Sequence, residues 1–89
     1  MEFQWDPDKA LENERKHDVT FLEATGVFND DLSSSVPDPD HSEGEYRHLI
    51  FGQSESGRRL VVSYTEREER IRLISARPMS SSERKAYEQ

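Results

Sequence analysis

Three runs decide the fold: Tyr46-Arg47-His48-Leu49-Ile50-Phe51-Gly52-Gln53, Arg58-Arg59-Leu60-Val61-Val62-Ser63-Tyr64-Thr65 and Arg70-Ile71-Arg72-Leu73-Ile74-Ser75-Ala76-Arg77. In each, apolar and polar residues alternate with the period of a half-buried strand. Leu49 and Phe51 share one face of the first run, Leu60, Val62 and Tyr64 one face of the second, and Ile71 and Leu73 one face of the third. Ser54-Glu55-Ser56-Gly57 and Glu66-Arg67-Glu68-Glu69 are polar breaks of hairpin length, so the runs are predicted to form an antiparallel meander. Pro78 stops the third strand.

The flanks add helices. Phe3-Gln4-Trp5 reads as a short first strand. Asp6-Pro7 then opens a helix that runs to about Lys16 or His17, with Asp as N-cap and Pro at the first helical position. Thr20 and Glu23 fit a capping box for a second helix, whose apolar stripe is Phe21, Leu22, Ala24, Val27 and Phe28 and which Asn29-Asp30-Asp31 ends. Residues 33–45, rich in proline and acid, read as an exposed, mobile loop with an edge strand around Ser34–Val36. Ser80 and Glu83 offer another capping box, opening a short C-terminal helix through Tyr87. The expectation is an α+β fold: two N-terminal helices packed on one face of a twisted antiparallel sheet of three to five strands, with a short final helix.

Composition sets limits. The 89 residues correspond to one domain, 1–89. Hydrophobic residues are 31% and charged residues 35%, with mean hydropathy −1.01, so no stretch reaches the length of a spanning helix. A core this small is marginal, and a partner is expected to supply further burial. The absence of cysteine excludes disulfides, thiolate zinc sites and thiol nucleophiles. Nothing at Met1-Glu2-Phe3-Gln4-Trp5 reads as a secretory signal, which makes the cytoplasm the expected location.

The net charge of −7 is unevenly spread. Residues 1–45 hold three basic against thirteen acidic residues, net −10, while residues 46–89 hold nine against six, net +3. Eight of those nine are arginine, whose planar fork suits phosphate and carboxylate alike. Two readings follow: the arginines converge on a phosphate, or they are surface partners of Glu55, Glu66, Glu68 and Glu69. Arg70 and Arg72 project from one face of their strand. Strict alternation adds Ile74 and Ala76 to that face and sends Arg77 to the other, beside the final helix. Arg47 begins the first run, and Arg58 and Arg59 begin the second.

Among titratable groups, Lys16 and His17 end the first helix, where the dipole favours cations and an imidazole suits proton transfer. His41 lies among Asp38, Asp40 and Glu43 without any metal-ligand spacing and reads as solvated loop. Glu45 and Arg47 share a face as acid and anchor, or as a surface ion pair. Tyr64 reads as core. No glycine-rich phosphate loop, nucleophile elbow or helical metal-ligand pair is present, so no cofactor or metal is expected.

Four segments carry a resemblance: Phe3-Gln4-Trp5-Asp6-Pro7-Asp8-Lys9, Arg15-Lys16-His17-Asp18-Val19-Thr20-Phe21-Leu22-Glu23-Ala24, Asp38-Pro39-Asp40-His41-Ser42-Glu43-Gly44-Glu45-Tyr46-Arg47, and Arg70-Ile71-Arg72-Leu73-Ile74-Ser75-Ala76-Arg77. In their order and spacing they resemble the BrnT toxins of bacterial type II toxin–antitoxin systems, except that Asp18 stands where that family often has glycine. The resemblance implies a RelE-like fold and a metal-independent endoribonuclease that inhibits translation by cleaving messenger RNA, free or ribosome-bound. It also implies a BrnA-like ribbon-helix-helix antitoxin, with operator DNA contacted only through that partner and no membrane involved. Carried over by position, Arg72 and Arg77 are the first phosphate-stabilising candidates and Arg47 the third, with Arg70 and Arg58 as substrate-binding candidates. Lys16 and His17 are substrate-anchoring or proton-transfer candidates, and Glu45 is a candidate base. The reading that competes with this one is a non-catalytic acidic interaction module with structural arginines.

Overall fold

The computed structural model describes residues 1–38 and 46–89. Five strands form one sheet: β1 (Glu2–Gln4), β2 (Ser34–Pro37), β3 (His48–Gln53), β4 (Arg59–Arg67) and β5 (Arg70–Pro78), in the order β1-β5-β4-β3-β2. Three helices accompany them: α1 (Pro7–His17), α2 (Phe21–Thr25) and α3 (Ser81–Tyr87). The fold is α+β, with two helices N-terminal to the meander β3–β4–β5. The sheet is mixed, because β1 adds itself to the outer edge of β5 in parallel, Phe3 level with Ile71. Its three residues carry no hairpin signal, so their pairing partner was not readable from the sequence.

Local chemistry explains the helix ends. Asp6 accepts from the Asp8 amide at the start of α1, and Pro7 occupies the first turn. Asp18 closes α1 in the left-handed region at φ 57°, the conformation for which glycine is the usual choice. Thr20 caps α2 by accepting from the Glu23 amide, but the Glu23 carboxylate turns away to Ser54 and Ser56. The second helix is shorter than its apolar stripe, since Gly26–Asn29 continue it as a 3₁₀ turn. That turn presses on β3 at Gly52, where a Cβ would lie 2.9 Å from a Val27 methyl. The β4–β5 hairpin turns through Glu68 and Glu69, both at positive φ, 49° and 69°. A two-residue turn of that shape ordinarily takes Asn-Gly.

The main core lies between the sheet and α1, α2 and the 3₁₀ turn. Val19, Phe21, Ala24 and Val27 meet Ile50, Leu60, Val62, Tyr64, Ile71, Leu73 and Ala76. An edge-to-face chain links Phe3, Phe28 and Tyr64, with Trp5 set against Phe21. Tyr64 is core, as its alternation predicts, and its hydroxyl meets Ser35 Oγ at 2.7 Å.

One polar residue docks α1. Asn13, on the sheet-facing side of the helix, is buried. Its amide donates to Val19 O at 3.0 Å and to Ala76 O at 2.9 Å, and its Oδ1 accepts from Ala76 N at 3.0 Å. Beyond the end of β1 the side chain thus stands in for a strand neighbour of β5.

Two outcomes are expected. Asn13→Ala leaves three buried backbone groups without partners and lowers unfolding free energy by about 3 kcal/mol in denaturant titration. Replacing Glu68-Glu69 with Asn-Gly puts two residues that tolerate the left-handed region at these positions and raises it by about 1–2 kcal/mol.

Candidate functional site

The register of β4 with β5 determines where the arginines stand. Val62 pairs with Ala76 and Ser63 with Ser75, but Tyr64 pairs with Leu73, so Ile74 is an extra residue that forms a bulge. Strict alternation across the strand therefore fails. Ala76 returns to the core side with Ile71 and Leu73, and Arg77 joins Arg70, Arg72 and Ser75 on the opposite face. This corrects the placement of Arg77 and Ala76 expected from the sequence. The signal was present in the apolar spacing 71, 73, 76, which fits one face only if a residue is slipped.

That face has two ends. At one end α3 packs over it. Ser80 and Glu83 form the anticipated capping box, and the same Glu83 binds Arg77 with both oxygens, at 2.8 and 2.9 Å. The Arg77 bond, the Ser80 amide and the charge of Arg77 together hold the Glu83 carboxyl down at about 2 against the opposing effect of burial. Arg59 pairs with Glu88 at 3.1 Å, and the Tyr87 hydroxyl bonds Asp30. That bond, reinforced by burial, pushes the Tyr87 phenol up to about 12. Reading Glu83 only as a cap missed its role as the partner of Arg77.

At the other end the arginines are differently placed. Arg72 pairs across the strand with Thr65. One residue beyond the His48–Tyr64 pair, Arg47 comes level with Thr65 from the other side. Thr65, 2% exposed, donates its hydroxyl to Tyr46 O at 2.8 Å and fastens the start of β3 to β4. Arg47 and Arg72 thus flank one residue, two strand spacings or about 10 Å apart at their Cα atoms. Side chains from one face at that separation reach a common anion. Both are partly buried, and neither has an ion-pair partner among the described residues.

The remaining candidates fall elsewhere. Arg70 is on the same face as Arg72 but pairs with Glu2 at 2.9 Å. Arg58 donates to Asp18 O at 3.0 Å and lies 3.6 Å from Glu23, so it ties the α1–α2 connection to β4. Lys16 and the half-buried His17 line a notch of about 240 Å³ with Lys9, Glu12, Asn13, Ile74 and Ser75, at the bulge. Arg47 and Arg77 do not converge, because their rows on β4, at Thr65 and Val61, are four residues or about 13 Å apart. Glu45 and His41 lie outside the described residues. Among the described residues, no three His, Asp or Glu side chains gather as a metal ion would require.

Comparison with known proteins agrees with this architecture. Residues 5–83 match the family model described as the ribonuclease toxin BrnT of type II toxin–antitoxin systems. The crystal structure of the ribonuclease toxin BrnT from Brucella abortus superimposes with a TM-score of 0.66 at 21% identity, covering 91% of this chain and 99% of that one. No curated protein matches.

The Arg77–Glu83 pair has a pH signature. The carboxyl titrates at about 4.5 when unfolded and about 2 when folded, so its contribution is complete above pH 4.5 and fades as the pH falls toward 2. Glu83→Gln is expected to show a stability deficit that is constant near neutrality and narrows across that acid window, read from denaturant midpoints at each pH.

Proposed function

The chain belongs to the BrnT family, the ribonuclease toxins of type II toxin–antitoxin systems, and from that premise we propose a metal-independent endoribonuclease whose phosphate clamp is Arg47 with Arg72. The observation that supports it is that Arg72 pairs across the strand with Thr65 and Arg47 lies one residue beyond the His48–Tyr64 pair, with no ion-pair partner for either among the described residues. A partly buried guanidinium without a counter-charge favours an arriving anion.

The reaction needs no bound ion. The ribose 2′-hydroxyl loses its proton to a base and attacks the adjacent phosphorus. The P–O5′ bond breaks, the leaving oxygen takes a proton, and the products are a 2′,3′-cyclic phosphate and a 5′-hydroxyl end. Negative charge grows on the phosphorane oxygens, and fixed guanidiniums stabilise that state more than the ground state. Arg47 and Arg72 supply this term. Arg70 extends the basic strip, Lys16 and His17 supply anchoring and proton-transfer groups at the bulge, and Glu45 remains a second candidate base. Arg77 serves α3 in this arrangement and stands outside the clamp, four residues along β4 from Thr65.

The physiological reading is that one domain, residues 1–89, cleaves messenger RNA in the cytoplasm and stops translation. A BrnA-like ribbon-helix-helix antitoxin neutralises it and carries the contacts to operator DNA. An apolar groove of about 510 Å³, bordered by Leu32, Val36, Phe51, Ala86 and Tyr87, supports a protein partner, with Leu32 74% exposed there.

The test is digestion of RNA by the purified chain in EDTA, alongside induction of the chain in bacteria. The wild type is expected to cleave and to arrest growth. The folded double variant Arg47→Ala/Arg72→Ala is expected to lose roughly a hundredfold or more in cleavage rate. Undiminished cleavage by that variant would sink the clamp, and an inert wild type would leave the interaction-module reading.

A further inference from the structure

The two arms of the clamp are held unequally. Arg72 stands inside the sheet, level with Gln4 of β1 on one side and with Thr65 of β4 on the other. Arg47 stands outside it. The ladder between β3 and β4 ends at the His48–Tyr64 pair, one residue short of Arg47. Two hydrogen bonds continue where the ladder stops. The Asp38 amide donates to Arg47 O at 2.9 Å, and the Thr65 hydroxyl donates to Tyr46 O at 2.8 Å.

These bonds fall on the two peptide groups that meet at the Arg47 Cα. A peptide group is planar, so holding its carbonyl oxygen restrains the whole plane. Asp38 holds the plane that leaves Arg47, and Thr65 holds the plane that enters it. With both restrained, φ and ψ of Arg47 have little freedom, and the direction of its Cα–Cβ bond follows. The Tyr46 side chain, 85% exposed, is no anchor for this segment. The Thr65 hydroxyl is therefore the tie from β4 to the backbone that enters Arg47. Its surroundings suit that task. Thr65 is 2% exposed, although Glu66 and Arg67, the next two residues of β4, are exposed. Valine would suit a strand equally and bury no hydroxyl, and a buried hydroxyl is costly unless it is bonded. Here its bond goes to the segment that carries Arg47.

We infer that Thr65 is a positioning residue for the phosphate clamp: through Tyr46 O it sets the backbone from which Arg47 reaches the phosphate. Thr65 acts through Arg47 and not through Arg72, which strands hold on both sides without help from the hydroxyl. A guanidinium stabilises the phosphorane most from a fixed place, since an arm that must be ordered during the reaction gives back part of what it supplies. This role rests on the ribonuclease reading and on the clamp, and the experiment tells the three apart.

The experiment measures kcat and KM for RNA cleavage by variants whose folding is checked from denaturant midpoints. Thr65→Val removes the hydroxyl and keeps the branched shape. It is expected to lower kcat roughly tenfold and to leave KM within about twofold, because the loss falls on the transition state. Thr65→Ala is expected to match it, and Thr65→Ser, which retains the hydroxyl, is expected to restore kcat. A double-mutant cycle then identifies the arm involved. In the Arg47→Ala background Thr65→Val is expected to cost nothing further, whereas in the Arg72→Ala background it keeps its roughly tenfold effect. Three results overturn the positioning role and leave the clamp standing: wild-type kcat in both hydroxyl-free variants, a loss that serine does not restore, or an undiminished loss in the Arg47→Ala background. Arg47→Ala cleaving at the wild-type rate defeats the clamp and this role with it, and an inert wild type defeats the nuclease and both.

Discussion

A single extra residue in β5, Ile74, decides on which face of the sheet the side chains beyond it stand. Without it, Ala76 would point away from the core and Arg77 would be driven into it. With it, Ile71, Leu73 and Ala76 all face the helices, and Arg70, Arg72 and Arg77 all face the other way. A bulge leaves local backbone groups out of the ladder and needs support. Asn13 supplies that support next door, with both halves of its amide on Ala76. The same side chain reaches Val19 O, so helix, bulge and the turn after the helix are joined through one buried group. The notch that holds Lys16 and His17 exists because α1 is docked there, against Ile74 and Ser75.

The acidity of the chain and its arginines are reconciled by position. At the α3 end, Arg77 and Arg59 are taken up by Glu83 and Glu88, and Arg58 lies against Glu23. These pairs hold elements together: Glu83 both caps α3 and fastens it to the sheet. At the far end Arg47 and Arg72 keep their charge uncompensated among the described residues. The net charge of −7 weakens the approach of RNA over distances beyond the Debye length, about 8 Å at physiological salt. Within that distance local guanidiniums decide, so a negatively charged chain can still hold a phosphate at one spot.

The meander was legible because alternation is a local property, and β3, β4 and β5 start and stop within two residues of the runs that announced them. Caps were legible for the same reason, at Asp6, Thr20 and Ser80. What escaped depends on parity or on distance in the chain. One inserted residue reverses every face beyond it, and the apolar spacing 71, 73, 76 that signals Ile74 is lost when Arg70–Arg77 is read as a simple alternation. The Arg47–Arg72 juxtaposition requires the registers of both β3 and β5 on β4, which no single run contains. Asn13 looks like any polar helix residue until the edge of β5 is placed beside it. Arg77 was singled out as a phosphate ligand by its position in the family resemblance, and the structure adds the carboxylate that occupies it.

The choice between a nuclease and a purely structural use of these arginines turns on what each arginine would gain. Structural arginines lower their free energy by pairing, and Arg58, Arg59, Arg70 and Arg77 have done so. With nineteen acidic residues in the chain, carboxylates were abundant enough to neutralise two more. Arg47 and Arg72 are instead placed across a buried threonine that contributes no charge. Two like charges on one face, with no ion-pair partner among the described residues, bring mutual repulsion and partial desolvation to the resting state. An incoming phosphate relieves both. Neutral side chains at these two positions would give greater stability, so their charge fits the phosphate site proposed for them.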